Sequence, residues 1–286
     1  MVYIFTALYC EAQIFIEQFR LIKNQQTNWF QEFYNETYNI HLTITGVGEI
    51  AASAAISSVC STYRPTQKDL LLNVGICAHT TKNNGIFLCN KIIERETGRT
   101  FYPDILYYHS FSEATLVTGM LPYNANQDNT HQIKSESADF LYDMEAAAIY
   151  QIGIHYFGPH QMIFLKIVSD KGLVSQVSKE QTTLLMKNYQ NCIVDYIMHI
   201  SFITQEINEY ENYFADKEET LIETFCADLH CSKTMKDSMK QLIQYMSLTG
   251  MDYISIIQSM YNKNLLPCKD KREGKLRFEE FKRRLF

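Results

Sequence analysis

The stretch YDMEAAAIYQIG, residues 142–153, decides how this chain is read. Two carboxylates, Asp143 and Glu145, flank a methionine, and three alanines then open a segment of helical character. Acidic residues in the first turn of a helix are stabilised by its free N–H groups and by the macrodipole, so capping accounts for the pair. A second reading turns Glu145 into a pocket and uses the alanines to let the helix pack closely behind it. The surroundings have to choose between them.

Working outward, MIFLKIVSD (162–170) is a continuous apolar run ending in Ser-Asp, the pattern of a buried strand. VYIFTAL (2–8) and DLLLNVGICA (69–78) read the same way, and HLTITGVG (41–48) alternates before two glycines. GIFLCNKII (85–93) and residues 105–108 read as further strands. Ile14, Phe15, Phe19 and Ile22 recur at helical spacing over 11–23, and AASAAISSVC (51–60) reads as a small-residue helix packed on a sheet. Continuously apolar strands alternating with helices imply an α/β sheet covered on both faces. The expected architecture is a central mixed, largely parallel sheet flanked by helices, with an all-α C-terminal appendage.

A stripe from Leu185 through Tyr189, Ile193, Tyr196, Ile200 and Ile203 closes that domain. NEYENYFADKEE (208–219) is polar and acidic and reads as a linker, and everything beyond it reads helical. The expected organisation is therefore residues 1–207, an acidic linker at 208–219, and a helical region of unknown role at 220–286. The 286 residues, 46% hydrophobic and 20% charged, suffice for such a core.

No apolar run approaches the roughly 18 residues that span a bilayer, and the N-terminus lacks the basic start of a signal peptide. Eight scattered cysteines read as reduced, mostly buried thiols of a cytoplasmic protein. The net charge of −6 argues against general nucleic-acid binding, although it is uneven: residues 1–214 carry 13 of the 26 bases but 21 of the 32 acids. The basic tail KDKREGKLRFEEFKRRLF (269–286) reads as a solvated amphipathic helix, with an acidic partner as the alternative.

Ligands of such sheets bind outside the carboxyl ends of the strands. That rule selects Glu11, the Gly46–Glu49 turn, the Gly75–His79 turn and Ser169-Asp170; Glu145 adds a third acid. Three acids around one concave site suit a reaction in which positive charge develops on a sugar. Cys10, Cys77 and the FCADLHC cluster (225–231) offer thiols, but no second ligand pair for zinc and no nucleophile partner accompanies them.

In order, TALYCEA (6–12), TGVGEIAASAA (45–55), LLNVGICA (71–78), YDMEAAAIY (142–150) and KIVSDKG (166–172) resemble the nucleoside phosphorylase and nucleosidase superfamily. The pattern is most similar to the 5′-methylthioadenosine/S-adenosylhomocysteine nucleosidases and covers residues 1–205. The resemblance implies that Glu11 activates water, Glu145 binds ribose hydroxyls with Met144 against the sugar, and Asp170, steadied by Ser169, assists departure of a purine. Gly75, Ile76 and Tyr123 fall where substrate would be held. The glutamate of TALYCEA stands where phosphate would have to approach, and the arginine-bearing glycine loop of the phosphorylases is absent, which favours hydrolysis. Nothing implies a metal or cofactor, and analogy with relatives implies a homo-oligomer. The alternatives are a non-catalytic nucleoside-binding or regulatory module whose C-terminal helices bind an unknown partner, and a phosphate-dependent phosphorylase. The chain departs from the family at Ile76, Cys77 and His79, where small residues are usual, and at Lys166, where arginine is usual. The stretch 116–129, which would hold the base, lacks the family's aromatic signature.

Overall fold

The computed structural model describes residues 1–26, 29–125, 139–172, 177–249 and 251–283. They divide into two compact units, Met1–Glu206 and Ile207–Phe286.

The first unit opens with β1 (Val2–Thr6), α1 (Tyr9–Gln18), β2 (Ile22–Lys23), β3 (Gln31–Asn35), β4 (Ile40–Ile44) and α2 (Glu49–Tyr63). It continues with β5 (Leu70–His79), β6 (Ile86–Glu94), β7 (Thr100–Phe101), β8 (Ser112–Thr118), β9 (Leu141–Asp143), α3 (Ala146–Gly153) and β10 (Met162–Asp170). The helix α4 (Lys179–Asp228) begins in this unit.

All ten strands join one sheet, ordered β10-β6-β8-β9-β5-β1-β4-β3-β2 with β7 beside β6. A further pairing of β10 with β5 closes β5, β9, β8, β6 and β10 into a ring. The sheet is mixed rather than largely parallel. Five of the pairings above are parallel and five antiparallel. The physical reason is that closing the ring and finishing the other edge both use strands that run back: β6 against β10, β9 against β5, and the β2–β3–β4 meander.

The buried strands are those with unbroken apolar runs. Ile4, Leu72, Val74, Leu165 and Ile167 face one layer with Phe15 of α1 and Ile193, Ile197 and Ile200 of α4. Phe5, Leu71, Phe164 and Val168 face the opposite layer, under Ile56 and Val59 of α2 and Ala146, Ala147 and Ile149 of α3. Fully burying one such aliphatic or aromatic side chain stabilises the fold by about 1.5–3 kcal/mol, so both faces hold the sheet firmly.

Three local expectations need correction. Residues 105–108 form no strand, and β8, which was not anticipated, lies just beyond them. Residues 22–23 leave the first helix and enter the edge strand β2, because α1 already ends at Gln18. Tyr142 and Asp143 belong to β9, so the helix begins only at Ala146.

The second unit contains the end of α4, α5 (Lys233–Thr249), α6 (Tyr253–Asn262) and α7 (Lys271–Arg283). Phe225, Leu229, Met239, Met246, Ile257 and Phe281 form its core. Residues 208–219 carry helical backbone inside α4. All eight cysteines are free thiols. No described helix is long and apolar enough to cross a membrane.

Candidate active site

The long strand β5 makes the site. Its first half pairs with β1, its last residues Ala78 and His79 pair with β9, and β10 accompanies it throughout. The carboxyl ends of β1, β5, β9 and β10 therefore surround one cleft of about 290 Å³, which Glu11, Ile76, Tyr123, Met144, Glu145 and the Ser169–Asp170 pair all line. Gly75, expected to help hold substrate, is not among the described residues that line the cleft; it lies against the Glu11 carboxylate.

Glu11 sits in the first turn of α1 and is buried. Its Oε2 accepts the backbone N–H groups of Ala7 and Leu8, both at 2.9 Å, and its Oε1 accepts that of Ile76 at 2.9 Å. The carboxylate thus caps its own helix and ties it to β5. A carboxylate has about four lone-pair positions, so one remains for a ligand or water. Burial pushes the Glu11 carboxyl up, while the N–H donors and nearby Lys166 oppose that shift. A Cβ at Gly75 would lie 2.9 Å from Glu11 Oε1, so that carboxylate would have to shift.

The turn after β9 answers the question posed by the sequence. Asp143 Oδ2 accepts the N–H of Ala146 at 3.0 Å, and its Oδ1 accepts the hydroxyl of Thr118 at 2.6 Å. Thr118 Oγ1 in turn accepts the N–H of Ala147 at 3.1 Å. The first turn of α3 is therefore capped by Asp143 and Thr118. Glu145 occupies the N-cap position with its backbone, but its side chain makes no cap bond. Instead Oε1 accepts the N–H of Gly48 at 2.8 Å, the residue that starts α2. Gly48 has φ of 95°, a conformation that strains any side-chain-bearing residue, and this turns its N–H toward Glu145. Burial, reinforced by Asp143, pushes the Glu145 carboxyl up to about 7; Lys166 and the Gly48 N–H oppose.

Lys166 lies in the middle of β10, almost fully buried, with Nζ 2.8 Å from Asp143 Oδ2. Burial alone would lower its pKa, but Asp143 and Glu145 outweigh it and hold the ammonium above the ordinary lysine value. At the end of the same strand, Ser169 Oγ is 2.7 Å from Asp170 Oδ2 and 3.1 Å from the Cys77 carbonyl. Asp170 Oδ1 accepts the N–H of Gly172 at 2.6 Å. Tyr123 is buried, its ring packed against Phe140 and Tyr142, and it forms part of the cleft wall. Of the stretch expected to hold the base, residues 126–129 lie outside the described residues.

His79 does not face the cleft chemistry. Its Nδ1 accepts the N–H groups of Thr81 at 3.0 Å and Lys82 at 3.1 Å, which makes it a turn cap. Cys77 lines the cleft, but burial pushes its thiol far up, so it is a poor nucleophile. In the second unit, His230 Nε2 is paired with the Cys268 carbonyl at 2.9 Å rather than turned toward Cys226 and Cys231 as a ligand. Among the described residues, the nearest approach to a metal-binding donor set is Glu49, Glu94 and Glu96, whose carboxylate oxygens lie within 4.8 Å of one another.

Sequence reasoning singled out Glu11, Met144, Glu145, Ser169 and Asp170, and the fold brings them to one cleft. It missed the donors that support them: the N–H of Gly48, the N–H of Ile76, and the Thr118–Asp143 cap. The one legible signal was the glycine of TGVG ahead of a helix, which marks a turn with an exposed N–H.

The fold is similar to that of solved nucleosidase structures over about 70% of the chain. No protein-family model matches the chain, and no curated protein matches it. Solved structures do. A 5′-methylthioadenosine/S-adenosylhomocysteine nucleosidase from S. pneumoniae, with a transition-state inhibitor, aligns at a TM-score of 0.56 and 14% identity, over 70% of this chain and 99% of its own. The corresponding nucleosidase from Colwellia psychrerythraea, in complex with adenine, gives 0.56 and 13% over 70% and 94%. The 5′-methylthioadenosine nucleosidase of Arabidopsis thaliana gives 0.57 and 18% over 70% and 95%. At these identities the likeness is one of fold.

Proposed function

We propose that this chain is a purine nucleosidase. It hydrolyses the N-ribosidic bond of a nucleoside such as 5′-methylthioadenosine or S-adenosylhomocysteine, giving free base and sugar. The observation that carries the reading is the convergence of Glu11, Glu145 and Asp170 on one cleft, each from a different element.

Glu145 and Met144 hold the ribose. A hydrogen bond between an ionised carboxylate and a sugar hydroxyl is worth about 1.5–3 kcal/mol, enough to fix the ring. Asp170, steadied by Ser169, gives a proton to the ring nitrogen of the base as the C1′–N bond breaks and its electron pair leaves with the base. Water adds to C1′ from the side of Glu11, whose remaining lone-pair position takes the water's proton. The sugar passes through a cationic transition state that the surrounding acids favour. Tyr123 forms the apolar wall against the base.

Water is a better co-substrate here than phosphate. The described lining carries Glu11, Asp143, Glu145 and Asp170 against a single cation, the exposed Lys179. Among the described residues no cluster of fixed cations lines the cleft to hold a phosphate, whereas a neutral water needs none. The test is the sugar product. Incubation with nucleoside in the presence and absence of phosphate should give the free sugar in both cases. A sugar 1-phosphate formed only with phosphate identifies a phosphorylase, and binding without any product identifies a non-catalytic nucleoside-binding module.

A further inference from the structure

We propose that Lys166 is a positioning residue of this site: its buried ammonium, paired with the cleft-lining Asp143, is the counter-ion that fixes how many of Glu11, Asp143 and Glu145 are ionised when ligand arrives. Its kinetic meaning rests on the nucleosidase reading; the charge arrangement does not.

Lys166 pairs across the sheet with Gly75, the residue whose missing side chain makes room for the Glu11 carboxylate. It is absent from the cleft wall and cannot serve as a ligand-binding cation. Its Nζ lies 2.8 Å from Asp143 Oδ2, and it acts electrostatically on Glu145 and Glu11; all three carboxylates are more than nine-tenths buried. These acids are supported unequally. Asp143 takes the Lys166 ammonium, the Thr118 hydroxyl and the Ala146 N–H. Glu11 takes three backbone N–H groups. Glu145 takes the N–H of Gly48.

One cation cannot balance three buried carboxylates, and an uncompensated buried charge is costly. The cluster therefore retains a proton, and the acid with least support, Glu145, holds it. The other groups facing the cluster do not replace the cation. Glu49, from the start of α2, and Asp170, from the end of β10, are further acids, while Cys77 of β5 and Cys89 of β6 have thiols pushed up by burial and stay neutral. A ligand whose hydroxyls donate to Glu145 favours its ionised form and expels that proton. Lys166 keeps this exchange near neutral pH.

Carbon-13 NMR of glutamate carboxyl carbons reads this directly, with the Glu145 signal assigned by its loss in Glu145→Gln. An opposite charge within about 4–6 Å is worth about 1–3 pH units. In Lys166→Met the Glu145 midpoint should rise by about one unit or more, and in Asp143→Asn it should fall, because a competing carboxylate has gone. Lys166→Arg, which keeps the charge, should stay close to the natural protein. Unmoved midpoints in folded Lys166→Met and Asp143→Asn overturn the proposal. Should Lys166→Met not fold, Lys166→Gln, which removes the charge but keeps a polar end for Asp143, decides: an unmoved Glu145 midpoint in it overturns the proposal. The titration needs no turnover, so a chain that hydrolyses no nucleoside defeats the nucleosidase reading and leaves this result standing. Where turnover is present, the acidic limb of kcat/KM must move with the same variants, which a purely structural role would not produce.

Discussion

Asp143 and Glu145, two residues apart, divide the work of one turn. Asp143 caps α3 by accepting the Ala146 N–H, and this frees Glu145 to reach over the cleft to the N–H of Gly48. Both readings of the motif are realised, each by a different carboxylate. On the proposed function Glu145 also takes a ligand hydroxyl, which couples its protonation to binding.

That coupling has a definite sign. Burial raises the Glu145 carboxyl to about 7, so below neutrality the free protein holds a proton there. A folded-state value above the unfolded one gives stability that is complete below the unfolded value and fades as pH rises through the folded one. The free protein should melt lower at about pH 8 than at about pH 6 through this group. A bound nucleoside should reverse the loss. Calorimetric titration with a purine nucleoside in buffers of different ionisation enthalpy should show proton release just below neutrality, absent in Glu145→Gln.

Gly75→Ala tests the placement of Glu11. Replacing a strand glycine with alanine ordinarily helps stability a little. Here the new methyl group would meet Glu11 Oε1 at 2.9 Å and push the carboxylate off the Ile76 N–H. Displacement of a catalytic group by a fraction of an ångström to one ångström costs about a hundredfold in rate. On the proposed function the expected result is a loss of kcat near that size, beside a loss of stability of about 1.5–3 kcal/mol from the broken bond to the buried carboxylate.

A group outside the cleft lining supplies the contrast. Tyr63 donates to Glu32 Oε2 at 2.9 Å, on the same buried carboxylate that meets His41 at 3.0 Å. Tyr63→Phe should cost about 1–2 kcal/mol in denaturant unfolding, the worth of a partly exposed bond to a charged group. Its rate of base release should match the natural protein.

How much of this was readable in advance follows from the chemistry of each segment. MIFLKIVSD and DLLLNVGICA are buried on both faces, so their unbroken apolar character declared β10 and β5. QEFYN and LYD are an edge strand and a three-residue strand, too short to show a period, and both β3 and β9 went unread. DILYY alternates no better than a loop rich in aromatics, and it is one. The acids were legible because polar residues directly after apolar strands are conspicuous. Their supports were not, since a backbone N–H such as that of Gly48 has no letter in a sequence. Lys166 was visible as a charge inside a strand, but its partner Asp143 is 23 residues away in the chain and met only in the fold.

The most direct measurement is release of free base from purine nucleosides without phosphate, comparing the natural protein with Asp170→Asn. Loss of a proton donor to the leaving group should slow release by about a hundredfold to ten-thousandfold, with nucleoside binding retained. Equal rates in the two proteins, or release only when phosphate is added, would contradict the account.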